Sequence, residues 1–329
     1  MKLTRVAIIG LGSIGKRHLN VISEIRPDIE IILVRSGSGE QCVEEKIATQ
    51  VVYSIDDAIK LGIQAAIVST PATFHISQSI ELAKRNIHML IEKPLSINLE
   101  RLTELQKVII SNSLVAMVGY VLRYDPGAIM FKNWIENKIT GKIINARIEC
   151  GSYLPDWRPN QDYRKAVSAI SGLGGGVMLE LSHEIDYLNW FFGKPIDVQA
   201  KITNSKELDI DVEDQAEMFF TASEGFPISL QLDFNRRFPK RQCTVLTSNE
   251  ELTWNAIKKK LTLKAFNKSE ISFEYENETE SIYNLQLKKF IDCIENTNKP
   301  IVTIQDGIDV MQLIEAARKS SKIESKVLI

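Results

Sequence analysis

The sequence predicts an α/β protein in two parts. The first is an N-terminal Rossmann-type doubly wound parallel sheet, and the second an α/β domain with a large, mostly antiparallel open sheet. Three observations predict it. Short apolar runs alternate with stretches of helical period over the first third of the chain; the fingerprint Gly10-Leu11-Gly12-Ser13-Ile14-Gly15 joins the first run to the first helix; and β-rich runs crowd the segment 196–275.

Taken in order, the expected strands of the first part lie at 6–9, 30–34, 65–69, 88–91 and 115–118, separated by helical patterns such as 14–25, 76–85 and 99–111. Strands that are apolar throughout, alternating with helices, imply βα units and a sheet covered on both faces. The pattern changes after Tyr124-Asp125-Pro126. A helix over about 127–137 and a Thr140-Gly141 turn lead to a strand at 142–149. An irregular polar stretch, 152–171, precedes Gly174-Gly175-Gly176 and an amphipathic helix ending at Phe192. Further strands are expected at 216–221, 228–234, 243–247 and 261–265, and two closing helices at about 281–296 and 304–321. The domains are therefore placed at 1–122 and 123–329, with the last helix free to pack back on the first.

Composition narrows the function. With 329 residues and 44% hydrophobic content, the chain can bury a sizeable core. A formal net charge of -2 and the lack of a long Lys/Arg block argue against a nucleic-acid partner. Cys42, Cys150, Cys243 and Cys293 are too widely spaced for a zinc site or a redox pair, so reduced structural thiols are expected. The chain enters its first strand with no apolar leader, and no run approaches the ~18 apolar residues of a membrane span. A cytoplasmic protein is the expectation.

The glycine fingerprint follows an apolar strand and opens a helix. Gly10 and Gly12 then allow a tight turn and close approach of the backbone, while the helix start at Ser13, Ile14 and Gly15 offers N–H groups to a pyrophosphate. At the end of the second strand, Arg35 and the hydroxyl of Ser36 suit the 2′-phosphate of NADP(H), and no carboxylate appears before Glu40. NADP(H) is therefore favoured over NAD(H). Ser69, Thr70, Pro71 and His75 follow the third expected strand, at the edge where ligands of open α/β sheets lie.

Lys93 sits between Glu92 and Pro94 at the end of the next strand. There an ammonium can donate to the oxygen of a carbon that exchanges hydride, with Glu92 orienting or tuning it. In the second part, a continuous helix from about Val177 would put Glu180, His183 and Asp186 along one face, with His183 able to exchange a hydroxyl proton near neutral pH.

Together these residues resemble the Gfo/Idh/MocA oxidoreductase family, the relatives of glucose-fructose oxidoreductase and inositol dehydrogenase. The matching elements are the fingerprint with Lys16-Arg17-His18, Ser69-Thr70-Pro71 through His75, Glu92-Lys93-Pro94, Gly119-Tyr120-Val121-Leu122-Arg123-Tyr124-Asp125-Pro126, and the triple-glycine helix bearing His183. The resemblance implies oxidation or reduction of a sugar, cyclitol or nucleotide-sugar hydroxyl with NAD(P), without metal. It also implies Lys93 and His183 as the catalytic pair between the domains, and a homodimer or homotetramer formed through the C-terminal sheet. The family often has an acid four positions before the histidine; here that position is Leu179, and the nearest acid is Glu180.

Residues 153–164 are rich in Trp, Tyr and Arg. Trp157 and Tyr163 offer faces to a sugar ring, and Arg158 and Arg164, with Arg123 upstream, offer charge to a carboxylate or phosphate. The segment resembles that of family members found among surface-glycan genes, and that resemblance implies a nucleotide sugar or acidic sugar as the leading substrate class. The competing readings are a dinucleotide-sensing regulatory protein without turnover, and an epimerase or glycosidase that uses bound cofactor with no net redox change.

Overall fold

Runs such as Val6-Ala7-Ile8-Ile9 and Ala65-Ala66-Ile67-Val68 carry no polar alternation, which suits strands buried on both faces, and all eight residues are buried. The computed structural model describes residues 2–37, 41–276 and 279–329. The chain divides into two compact units, Met1–Tyr124 with Glu278–Ile308, and Asp125–Asn277 with Asp309–Ile329.

In the first unit the order is β1 (Arg5–Ile9), α1 (Ser13–Ile25), β2 (Glu30–Val34), β3 (Gln50–Val52), α2 (Ile55–Lys60), β4 (Ala65–Val68), α3 (Ala72–Lys84), β5 (His88–Ile91), α4 (Leu102–Ser111) and β6 (Ala116–Val118). The strands are parallel in the order β3-β2-β1-β4-β5-β6, so the winding reverses between β1 and β4. Ligands of such sheets collect outside the carboxyl ends of the strands at that switch point. β3 and α2 are not foreseen from the sequence; β3 has three residues, of which only Val52 is buried, too little for a pattern.

The second unit begins with α5 (Pro126–Asn137), which has proline at its first position and Asp125 accepting the Ala128 N–H at 3.0 Å. There follow β7 (Ile143–Gly151), α6 (Val177–Glu180), α7 (Ser182–Phe192), β8 (Asp197–Thr203), β9 (Gln215–Thr221), β10 (Pro227–Asp233), β11 (Lys240–Thr247), β12 (Glu250–Asn255), β13 (Lys260–Ala265) and β14 (Ile271–Glu274). α8 (Thr279–Asn296) belongs to the first unit, α9 (Ile304–Ile323) crosses the division, and β15 (Val327–Leu328) closes the second. The expected division at residue 122 left only the last helix free to pack back on the first domain; it is the helix before it, α8, that packs on α1 and on the turn Val121–Tyr124.

The second sheet runs β14-β13-β12-β11-β7-β10-β9-β8-β15 and is antiparallel except where β7 meets β10. α5, α6 and α7 lie against one face. On β9, Ala216, Met218 and Phe220 are buried while Gln215, Glu217 and Phe219 are exposed, the alternation of a sheet with one open face. In register with Phe219 across that face lie Gln199, Ser229, Arg147 and Thr244. The four cysteines are free thiols, and Cys150, Cys243 and Cys293 are buried.

Candidate active site

The turn between β1 and α1 is shaped by three glycines with three different reasons. Gly10 has φ +91°, and a Cβ there would lie 3.0 Å from the Ser69 carbonyl oxygen. A Cβ at Gly15 would run into the Gly10 carbonyl and come within 2.8 Å of Ser69 Oγ. Gly12 has nothing within 4 Å of its Cβ position, so that side of the turn is open. Among the described residues no side chain caps α1, and no acid sits in its first turn, which leaves a positive helix end beside that space. Room and donors are what a pyrophosphate requires, so the residues present fit a dinucleotide. Ser69 braces the turn from behind, its hydroxyl lying 3.0 Å from the Ile9 carbonyl oxygen and 2.9 Å from that of Gly10, with its one O–H shared between them.

Arg35 follows β2 as expected, but its guanidinium is paired with the Glu45 carboxylate, which also accepts the Cys42 N–H. Lys16 pairs with Glu44 at 2.9 Å. Two acids thus reach the adenosine end of the turn from a short helical segment, Val43–Ile47, which was not foreseen from the sequence. Ser36 is exposed; Ser38 and Glu40 lie outside the described residues. Thr70 Oγ1 donates to Gln78 at 2.7 Å, and Pro71 stands at the start of α3.

Lys93 follows directly on Glu92 at the end of β5, and its bond to Pro94 is cis. Glu92 was expected to tune the ammonium. Its buried carboxylate accepts from the Lys93 main-chain N–H at 3.1 Å and from His18 Nε2 at 2.6 Å. Gly119 makes room for it, since a Cβ there would sit 2.8 Å from Glu92 Oε2. His75, expected to touch cofactor, is buried: Nδ1 is 2.9 Å from the Pro94 carbonyl oxygen and Nε2 is 2.8 Å from that of Thr70.

Burial pushes the His75 pKa below its ordinary value of 6.5, against the pull of those two carbonyls. The unfolded chain therefore takes up a proton below pH 6.5 that the folded chain resists. The stability linked to His75 is full above that pH and is lost as pH falls toward the folded value, by at most ~1.4 kcal/mol per pH unit. In thermal melts, the gap in Tm between the parent and His75→Gln is expected to narrow from pH 7.5 to pH 5.5; a constant gap excludes this linkage.

In the second unit, Gly176 has φ +109°, and a Cβ there would strike the Glu213 carboxylate. The helix expected to run on from Val177 breaks at Leu181 (φ -97°, ψ 29°), which separates α6 from α7. Val177, Met178, Leu179, Leu181 and Ser182, on both sides of the break, are all buried. Glu180 therefore ends one helix while His183 and Asp186 share the next, so the single face expected for all three is not formed. His183 is half-buried and Asp186 buried. Glu184, fully buried, bonds Arg241 Nε on β11 at 2.8 Å and ties α7 to the sheet.

Trp157 is half-buried, with its indole N–H on Ser152 Oγ at 2.8 Å and its ring edge-on to Phe234 at 5.3 Å. Tyr163 donates its hydroxyl to the Leu208 carbonyl at 2.9 Å, Arg158 is exposed, and Arg164 pairs with Asp162 at 2.9 Å. Arg123, in the first unit, is buried and reaches Asp306 at 3.3 Å.

The family model for the oxidoreductase family with an NAD-binding Rossmann fold matches residues 4–120, and that for the GFO/IDH/MocA C-terminal domain matches residues 129–253. The chain belongs to the Gfo/Idh/MocA family. Within it, the chain is 23% identical to scyllo-inositol 2-dehydrogenase (NAD(+)) of Bacillus subtilis, over 96% of this chain and 93% of that protein. It is also 23% identical to 2,7-anhydro-N-acetylneuraminate hydratase of Mediterraneibacter gnavus, over 59% of this chain and only 50% of that protein. Among solved structures it is similar to levoglucosan dehydrogenase with NADH and levoglucosan (TM-score 0.87, 16% identity, 99% of each chain). It is likewise similar to the WlbA dehydrogenase of Bordetella pertussis with NADH and UDP-GlcNAcA (TM-score 0.84, 18% identity, 100% of this chain and 98% of that one).

Two site residues of this Gfo/Idh/MocA chain were not singled out individually from its sequence. His18 lies three positions past the fingerprint, where helical geometry turns it inward, and Glu45 lies in a segment with no clear periodicity.

Proposed function

We propose that the chain is an NAD(P)-dependent dehydrogenase or ketoreductase that interconverts a CH–OH group and a keto group of a sugar, with a nucleotide sugar or acidic sugar as substrate. One observation carries the proposal: the open cradle at Gly12 and the lysine at the end of β5 lie on the same carboxyl edge of one parallel sheet. Inositol, levoglucosan and UDP-sugar ligands or substrates in the names of the relatives and similar structures support the sugar class.

Bound NAD(P) supplies the acceptor or donor of the hydride at its nicotinamide ring. In oxidation, the ammonium of Lys93 donates a hydrogen bond to the substrate oxygen and stabilises developing alkoxide. His183 takes up the hydroxyl proton and returns it in reduction, with Asp186 in helical register to orient its ring and Glu180 as a second acid from α6. Trp157 and Tyr163 contribute apolar faces. Arg158 and Arg164 contribute charge toward a carboxylate or phosphate, and Arg123 acts from beside Asp306. The open face of the second sheet, with Phe219 exposed, is proposed to join copies into a homodimer or homotetramer.

NADP(H) is proposed as the preferred cofactor, its 2′-phosphate displacing Glu45 from Arg35 and hydrogen-bonding Ser36. Arg35→Asp is expected to lower the ratio of kcat/KM for NADPH to that for NADH by about tenfold or more, ~1.4 kcal/mol of discrimination. A ratio that does not move removes Arg35 as the selector.

The deciding experiment is fluorescence titration of NADPH and NADH, with and without nucleotide sugars and acidic sugars, with molar mass measured by light scattering. Binding followed by oxidation of the cofactor on adding a keto sugar supports the proposal, and absence of binding overturns it. The hydratase among the relatives favours a second reading, in which cofactor is held through a reaction with no net redox change. Product formation without release or net oxidation of cofactor selects it.

A further inference from the structure

On either side of Lys93 the chain is tied to a buried histidine from a different helix, through the Glu92 carboxylate before it and the Pro94 carbonyl after it. On the amino side, the Lys93 N–H donates to Glu92 Oε2 at 3.1 Å, and the other oxygen of that carboxylate is gripped by His18 Nε2 at 2.6 Å. His18 is fully buried, and its Nδ1 has no hydrogen-bond partner among the described residues, so the ring's N–H lies on Nε2 and points at Glu92. The ring is fixed from its other side by Tyr283 of α8, edge-on at 5.7 Å. On the carboxyl side, the Pro94 carbonyl is 2.9 Å from His75 Nδ1, and the same ring reaches the Thr70 carbonyl at 2.8 Å. Neither imidazole lies open to a ligand; each meets the loop bearing Lys93 through a main-chain atom or through Glu92.

We propose that His18 and His75 are positioning residues for Lys93, clamping its backbone from opposite sides so that its side chain starts from a fixed point. This rests on the alkoxide-stabilising role proposed above for Lys93. The two contributions differ in what they connect. His18 is carried by α1, whose first turn borders the dinucleotide cradle, so one rigid helix spans cofactor seat and lysine. His75 sits between the Pro94 carbonyl and that of Thr70 at the end of β4, its neutral ring donating one N–H to one of them and packing against the other. A catalytic group displaced by an ångström loses rate far more than affinity, because alignment matters most at the transition state.

The test replaces His18 with Phe, which keeps a ring against Tyr283 and removes the N–H donor, and with Gln, whose amide N–H can stand where Nε2 does. His18→Phe is expected to speed hydrogen–deuterium exchange at the Lys93 amide by about tenfold and to lower kcat by about tenfold, with KM and the NADH Kd within about threefold of the parent. His18→Gln is expected to restore both. If His18→Phe does not fold, His18→Leu takes its place. Unchanged exchange at Lys93 in a folded donor-less variant overturns the proposal, as does loss of NADH binding in step with kcat. Lys93→Ala, assayed in parallel, separates the two readings: retained turnover there removes the role of Lys93, while the exchange measurement still decides whether His18 holds its backbone.

Discussion

Lys93→Met is expected to fold, to bind NADH within about threefold of the parent, and to turn over about a thousandfold more slowly. Methionine keeps the length and apolar stem of the side chain and removes only the ammonium. The backbone contacts of residue 93 are with Glu92 through its N–H, which methionine retains. The loss should therefore fall on the chemical step. A group that stabilises a developing alkoxide acts little in the ground state, so kcat and kcat/KM should drop together while KM stays near its parent value. Steady-state kinetics beside a fluorescence titration of NADH make the comparison. A kcat within threefold of the parent assigns the substrate oxygen to some other donor.

The second large effect separates two glycines three residues apart. Gly12→Val should leave the melting temperature nearly unchanged, since no atom lies within 4 Å of the added Cβ and the backbone there has an ordinary negative φ of -73°. It should weaken dinucleotide binding a hundredfold or more, ~2.7 kcal/mol, because the branched side chain fills the space that phosphate needs. Gly15→Ala should do the reverse. Its Cβ meets the Gly10 carbonyl and Ser69 Oγ, so α1 must move off the sheet at a cost of about 1–3 kcal/mol, read as a lower midpoint in denaturant. Equal effects of the two substitutions on binding and on stability contradict this division of labour.

These contrasts show what a sequence can and cannot express. The strands of the first sheet were legible because each is an unbroken apolar run buried on both faces, and the glycine turn because its spacing follows from backbone approach. β3 was not, since a three-residue edge strand with one buried side chain leaves no period to detect. The break at Leu181 was invisible for another reason: leucine is a good helix former, and nothing in the local sequence marks a stop there. The same limit applies in the site. The residue types at 92 and 93 suggested a carboxylate beside an ammonium, and only three dimensions reveal that Glu92 also holds His18 and the Lys93 main chain. The pairing of Arg35 with Glu45 was equally out of reach, because Glu45 lies in a segment with no clear periodicity.

The return of α8 to the first unit bears on how the chain is made. Residues 1–124 leave the ribosome with β1 to β6 complete, yet the helix that packs on α1 and braces His18 through Tyr283 follows only after the intervening second unit. At cellular elongation rates that interval is on the order of ten seconds or more. Throughout it, the α1 surface destined for α8 is uncovered on a nascent chain. The first unit is thus translated early and finished late, and chaperone contact with ribosome-bound intermediates should concentrate on that surface until α8 emerges.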